Sequence, residues 1–442
     1  MRVPLPQRQR GAAAAVVEID VDQGSTFGII ADILIPGRGE PVVNGALVVK
    51  DSTIDWVGSK DDIPDTYSSL RFSRVPVLMP GMWDVHTHFS GTDIVSQGPG
   101  DSYKMFLPGT ATLIGAVTVD DLRATLMAGF TSVRELGGYA GDVAPAVDKG
   151  VIVGPHVYSS MSVLSITGGH GDQHDVPLQT VLGFSASGSE IALCDGVDEC
   201  IKTVRQVIRR GAKVIKICST GGVLSLNDQP EDSQFSPAEL KAVVDEAARS
   251  GRVVAAHAIG KNGIMAALDA GVRSIEHGVY LDEEVAAAMK EKNVTLVPTR
   301  HIIEGLATNG GDMPPVMRVK FDRVLQISRD SYKLAIKLGV KIALGTDTYS
   351  SDRKHPISHG TNAKELYWAC EAGMTPIQAI EMATANGPET LGSQARKSGQ
   401  LKVGFDADLI AISHNPLDDI EVLTKPKNIT HVWKGGKLYK SL

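Results

Sequence analysis

The spacing of hydrophobic and polar positions changes period along this chain. From Gly28 to about Val77 short apolar runs, Ile29–Ile35, Gly45–Lys50 and Ile54–Gly58, are broken by turn residues at Pro36-Gly37-Arg38-Gly39 and Asp51-Ser52. That pattern predicts a small antiparallel sheet with too few strands to close a core. The same style returns at the far end in Ala407–Ile412, Thr430–Trp433 and Lys437–Tyr439. A β-sandwich built from both termini, residues 27–76 and 396–442, is therefore expected, with residues 1–26 as a loose tail.

Between those ends the period becomes strand, loop, helix, repeated. Strands are predicted at 77–86, Thr131–Glu135, His156–Ser160, Val214–Cys218, Val253–His257, Ser274–His277, Thr295–Thr299 and Lys341–Gly345. Helices are predicted at Val119–Met127, Val197–Arg210, Pro237–Ser250, Lys261–Ala270, Glu283–Lys292 and Met317–Leu338. Strands alternating with helices in this way predict an α/β fold with a (β/α)₈ TIM-like barrel over residues 77–395. Two connections, Thr167 to about Val197 and Thr220 to Ser236, carry Gly, Asp, Pro and Ser instead of a helical period. Both follow strand C-termini, the catalytic face of a barrel, which makes them candidate substrate loops or else surface insertions.

Composition narrows the class. A chain of 442 residues with 43% hydrophobic content buries a large core, and no apolar run reaches the roughly 20 residues of a membrane helix. A net charge of −7 argues against a nucleic-acid surface. Cys194, Cys200, Cys218 and Cys370 show no C-x-x-C spacing, so neither a disulfide framework nor a cysteine zinc site is indicated. A reducing, cytoplasmic location is expected. Arg2, Arg8 and Arg10 precede a short Ala-rich run, but Glu18, Asp20 and Asp22 follow at once, a poor signal peptide; secretion stays open.

Polar residues then stand where the predicted strands end. His86 and His88 close the first and, by strand alternation, project to one side about 7 Å apart. Alone, an H-x-H is more often a pair of ordinary polar residues at a strand end. Here Lys216, His257, His277 and Asp347 end four further apolar runs, and packing does not explain that many ionisable groups at one barrel mouth, since buried charge without a partner is costly.

Pro80–His88, Lys216 in Val214-Ile215-Lys216-Ile217, His257, Glu276-His277-Gly278, Gly345-Thr346-Asp347 and Gly404–Leu409 together resemble the amidohydrolase superfamily across nearly the whole chain. Arg210–Lys216, Gly169-His170-Gly171-Asp172 and Thr430–Lys437 are similar to its ochratoxinase and Xaa-Pro dipeptidase branch. His86, His88 and Asp347 offer ligands to one divalent ion, zinc being the expected metal, and His257 and His277 offer ligands to a second. Burial beside two cations would deprotonate Lys216. The resemblance implies that Lys216 then carries a CO₂-derived carbamate bridging the metals. A hydroxide formed there near neutral pH would attack the substrate carbonyl, with Asp347 moving its proton to the departing nitrogen.

His170 is expected to stabilise the oxyanion or to grip a substrate carboxylate, and Arg300 with His301 either binds a carboxylate or forms an exposed loop pair. Tyr280, His355 and His359 carry no firm role. The stretch His257-Ala258-Ile259-Gly260 lacks the Glu that deaminase-type members place there, which favours hydrolysis; the branch would lead one to expect a His where Ile259 stands. The expectation is a binuclear hydrolase of an N-acyl amino acid or dipeptide amide. The alternatives are a cyclic amide or imidazolone hydrolase and a non-enzymatic scaffold of the dihydropyrimidinase-related kind. The only partner expected is a small-molecule amide, with neither nucleic acid nor membrane, and the resemblance implies a homo-oligomer, an octamer among the options.

Overall fold

The computed structural model describes residues 26–91, 107, 109–309 and 313–442, so the expected tail over 1–26 lies almost wholly outside the described residues. In its first part run strands β1 (Phe27–Leu34), β2 (Val42–Lys50), β3 (Thr53–Ser59), β4 (Phe72–Pro80) and β5 (Met82–Thr87). Then come β6 (Phe130–Glu135), β7 (His156–Ser159), β8 (Val163–Ser165), β9 (Ile191–Leu193), β10 (Ile215–Cys218), β11 (Val254–Ala258), β12 (Ser274–His277) and β13 (Thr295–Val297). The chain closes on β14 (Leu409–Ile412), β15 (Ile429–Lys434) and β16 (Lys437–Ser441).

The two chain ends meet in one sheet of seven strands, ordered β16, β15, β14, β4, β1, β2, β3, where two stacked sheets were expected. The reason is β4, which pairs in parallel with β1 and antiparallel with β14, so it sews the ends into one ladder. Ile29, Ala31, Leu47, Val49, Leu78, Leu409 and Trp433 form its core, and Phe27 stacks on Trp433 with centroids 6.5 Å apart. The predicted strand 77–86 is two strands, because the chain breaks at Gly81. A Cβ there would lie 2.2 Å from Thr131 Oγ1, so no larger residue passes β6 at that point.

The alternating middle forms two parallel sheets, β5-β6-β7 and β13-β12-β11-β10-β8-β9. The expected closed barrel is not present as a continuous ladder among the described residues. Between β7 and β10 a single backbone bond, Lys213 N–H to Ser159 O at 2.8 Å, takes the place of pairing. The third predicted strand, His156–Ser160, forms as β7, and the positive φ of 66° at Met161 just beyond it separates it from β8. Lys341–Gly345, predicted as the eighth strand, makes one bridge, Ile342 with Leu296, and isolated bonds to β5 such as Val85 N–H to Leu344 O at 2.8 Å. Side chains replace its ladder: Asp84 Oδ1 accepts the N–H of Thr346 and that of His86, each at 3.1 Å.

Helices flank these sheets, several starting where expected. Helix Pro237–Arg249 begins with a complete capping box, Ser236 with Glu239. Two segments read as loops are helical, Leu178–Ser187 within the first long connection and Arg300–Asn309 after β13. Among the described residues no helix is long and apolar enough to cross a membrane.

Candidate metal and substrate site

Strand ends deliver the polar residues. Alternation along β10 sets Lys216 opposite in direction to Ile215 and Ile217, which enter the apolar layer beneath the helices; Lys216 itself is 3% exposed. His257 comes from β11, His277 ends β12, and His86 and His88 come from the end of β5. His277 and Asp347 hold positive φ values of 71° and 60°, as does neighbouring Thr299 at 47°. Non-glycine residues adopt that region only when their surroundings force them, and here it turns the side chains at strand ends toward one another.

All six residues predicted as ligands come together. Asp347 Oδ1 lies 3.1 Å from His88 Nε2 and 3.4 Å from His86 Nε2. Lys216 Nζ is 3.4 Å from that same His86 nitrogen. The rings of His86 and His277 are 5.1 Å apart and those of His257 and His277 are 4.6 Å apart. Donor atoms of His86, His277 and Asp347 fall within 4.8 Å of one another.

Each imidazole is also held from behind. His86 Nδ1 meets Glu276 Oε2 at 2.9 Å, His88 Nδ1 donates to Gly137 O at 2.8 Å, His257 Nε2 donates to Gly221 O at 3.0 Å, and His277 Nδ1 pairs with Thr299 Oγ1 at 2.8 Å. One nitrogen per ring is therefore fixed and the other is left for the shared space, the arrangement by which proteins orient metal-binding histidines. Burial drives the pKa of His86, His257 and His277 well below the usual histidine value, so these rings are neutral. Burial also lowers Lys216. Burial works to raise Asp347, but its contacts with His86 and His88 outweigh it and hold the carboxyl below its ordinary value; Asp347 in turn helps to raise His88, whose own burial works the other way. Three neutral imidazoles, a fourth in His88 paired with Asp347, an amine shifted toward its free base and an ionised carboxylate make a donor set suited to divalent cations.

Two cavities open onto this cluster and share His170, Leu224, His257, His277, Ile302 and Asp347. One, of about 380 Å³, has a polar wall that includes His88, Gln173, Glu190 and Lys216. The other, of about 70 Å³, is lined mainly by apolar side chains, among them Val223, Ile259, Val279, Ile303, Phe321 and Val324.

A model of the amidohydrolase family matches residues 77–439. The chain belongs to that family. Ochratoxinase from Aspergillus niger is 46% identical over 441 residues, covering 96% of this chain and 89% of the relative. The crystal structure of A. niger ochratoxinase superposes with a TM-score of 0.88 at 46% identity, covering 95% of this chain and 96% of that one. A Xaa-Pro dipeptidase with bound methionine matches at 30% identity and a TM-score of 0.82, over 94% and 100% of the two chains. A prolidase complexed with N-methylphosphonate-L-proline matches at 29% and 0.82, over 95% and 100%. This amidohydrolase is a hydrolase acting on amide carbon–nitrogen bonds.

Other predicted residues in this amidohydrolase fare differently. His170 lies in the site: its ring stacks on His257 at 4.2 Å, and burial lowers its pKa to about 4. Gly222 allows that approach, since a Cβ there would be 2.1 Å from the His170 ring. Arg300 does not line either cavity; it is 5% exposed in helix Arg300–Asn309, its guanidinium paired with Glu304, so neither a substrate role nor an exposed loop pair fits. His301 is 1% exposed and meets Thr361 Oγ1 at 3.0 Å. Tyr280 donates to Glu231 at 2.5 Å, His359 stacks on Phe89 at 4.3 Å, and His355 lies beside Tyr349, their rings 6.5 Å apart. Ile259 is in the wall of the apolar cavity.

Behind the ligands of this amidohydrolase lie residues that the pattern of apolar runs does not reveal. Glu276, wholly buried, joins His86 to Arg134, whose Nη2 donates to its Oε1 at 2.7 Å. A Glu inside the apolar run before His277 was the available signal. Lys320, 1% exposed, donates to the carbonyls of Gly222 at 2.8 Å, Ser225 at 2.6 Å and Asp228 at 3.0 Å, and so pins the second predicted substrate loop. Nothing local distinguishes Lys320 from other cations on its helix.

Proposed function

We propose that the protein is a binuclear metal-dependent hydrolase that cleaves the amide bond of an N-acyl amino acid or dipeptide bearing an apolar or aromatic group. The observation that carries this reading is the convergence of six donor residues, each histidine anchored through its outer nitrogen, at the junction of a polar and an apolar cavity. The relatives named for ochratoxin and for Xaa-Pro dipeptides support an amide with an apolar part. His86, His88 and Asp347 would hold one ion and His257 and His277 the other, with Lys216 as a carbamate between them. Zinc suits so nitrogen-rich a set. Bound there, the ions would supply a nucleophilic water near neutral pH and charge stabilisation at the carbonyl oxygen.

The chain's own residues would do the rest. Asp347, ionised and in reach of the shared space, would take the proton of the attacking water and give it to the departing nitrogen, without which an amine is a poor leaving group. Lys216, moved toward the neutral amine by burial, is in the form that captures CO₂. His170 Nδ1 pairs with Ser225 Oγ at 3.0 Å, and that hydroxyl donates to Asp228 Oδ1, so the histidine donates to Ser225 and keeps an unprotonated Nε2. That tautomer suits a substrate N–H better than the oxyanion or carboxylate role expected for His170. Val223, Ile259, Ile303 and Phe321 would exclude water from the apolar group of the substrate. We further read the two parallel sheets and segment 341–345 as the wall of one (β/α)₈ barrel, and the active form as a cytoplasmic homo-oligomer.

A panel of N-acyl amino acids, Xaa-Pro dipeptides and cyclic amides, followed by mass spectrometry, tests the reading. Cleavage of a linear amide with an apolar residue, lost on chelation, is the expected result. Ring opening with no linear cleavage would instead favour the cyclic amide alternative.

A further inference from the structure

Glu190 stands between helix Leu178–Ser187 and β9, held in place by its carbonyl, which accepts the N–H of Val163 at 2.8 Å. Its carboxylate lines the polar cavity with His88, His170, Gln173 and Lys216. It makes no hydrogen bond and no ion pair among the described residues. The cationic group that acts on it, His88, is paired with Asp347 at 3.1 Å, and Arg210 is engaged elsewhere: it donates to Ser162 Oγ at 2.8 Å and Ser189 O at 3.1 Å and pairs with Asp142 at 3.5 Å. Glu135, which lies behind, adds a second negative group and is already satisfied by the N–H groups of Ala140 and Gly141 and by Ser159. Burial pushes the Glu190 carboxyl up to about 7, with the charge of His88 working against that, and a cation arriving in the cavity would supply the partner that its ionised form lacks. His170 presents its unprotonated nitrogen to the same space, so this wall offers acceptors in want of donors.

We infer that Glu190 is a specificity-determining residue that receives a cationic nitrogen of the substrate, an ammonium or guanidinium, across the scissile bond from the apolar group. This rests on the amide hydrolase reading above. His257, His277 and Asp347 border both cavities, so a bond held at their junction sends one end of the molecule toward Phe321 and the other toward Glu190. A charge-assisted hydrogen bond in a partly enclosed site is strong enough to separate otherwise equal substrates. The cation has two chemical sources, an α-ammonium or a basic side chain.

Two matched pairs of peptides distinguish them, Ala-Phe against N-acetyl-Ala-Phe and N-acetyl-Phe-Lys against N-acetyl-Phe-norleucine, each pair differing in charge. The wild-type protein is expected to prefer the charged member of at least one pair. In Glu190→Gln the charged-to-neutral ratio of kcat/KM should fall at least about tenfold, through KM, with metal content unchanged. Glu190→Asp, which keeps the charge, should retain most of the preference and serves if the Gln variant does not fold. Cleavage by the wild type with equal ratios in wild type and Glu190→Gln would overturn the inference, as would a loss of metal in that variant. A wild-type protein that cleaves none of the four contradicts the amide reading itself, and this inference with it.

Discussion

Lys216→Ala is expected to lower amide hydrolysis by about 10³-fold or more, since bound metal contributes several kcal/mol to the transition state and each ~1.4 kcal/mol is a factor of ten. The amine of Lys216 lies 3.4 Å from His86 and is 3% exposed, and as a carbamate it would add a second anionic group to the cluster beside Asp347. Its removal would leave Asp347 as the one anionic ligand of the six, so metal content should fall with activity. A short carboxylic acid added to the variant should restore part of both by occupying the space of the carbamate proposed for Lys216. Undiminished turnover in Lys216→Ala would remove this residue from the mechanism.

Glu276→Gln is the second large effect, and it acts in two ways. Its carboxylate holds His86 through Nδ1 and balances Arg134, both of them buried to 1% exposure or less. Losing the acceptor that orients a metal-binding histidine weakens metal affinity by about 10–100-fold. Leaving Arg134 buried beside a neutral amide should cost about 3–5 kcal/mol of folding stability, the range for breaking one half of a buried ion pair. Metal titration and urea denaturation read the two separately. If both stay at wild-type values, the link from Arg134 through Glu276 to His86 does not matter.

How far the sequence reveals this protein depends on which interactions are local. The histidines, Lys216 and Asp347 were legible because each ends an apolar run, a period-two signal that survives without knowledge of tertiary contacts. The seven-stranded sheet was harder to see, because β4 joins β1 and β14 across more than 300 residues of sequence and nothing in Phe72–Pro80 announces two partners. The break at Gly81 depends on Thr131 in another strand. Arg300 looked like a carboxylate binder because a cation after a barrel strand points to the mouth; the helix that begins at Arg300 turns it onto Glu304 instead. Lys320 and Glu190 carry no local signature at all, and only the fold shows that one pins a loop and the other faces a cavity.

His86, His88, Lys216, His257, His277 and Asp347 are proposed to form one metal centre for two ions. Elemental analysis of protein purified without chelator tests it most directly. Close to two divalent ions per chain, falling on Lys216→Ala, is the predicted result; a single ion per chain, unaffected by that substitution, would contradict it.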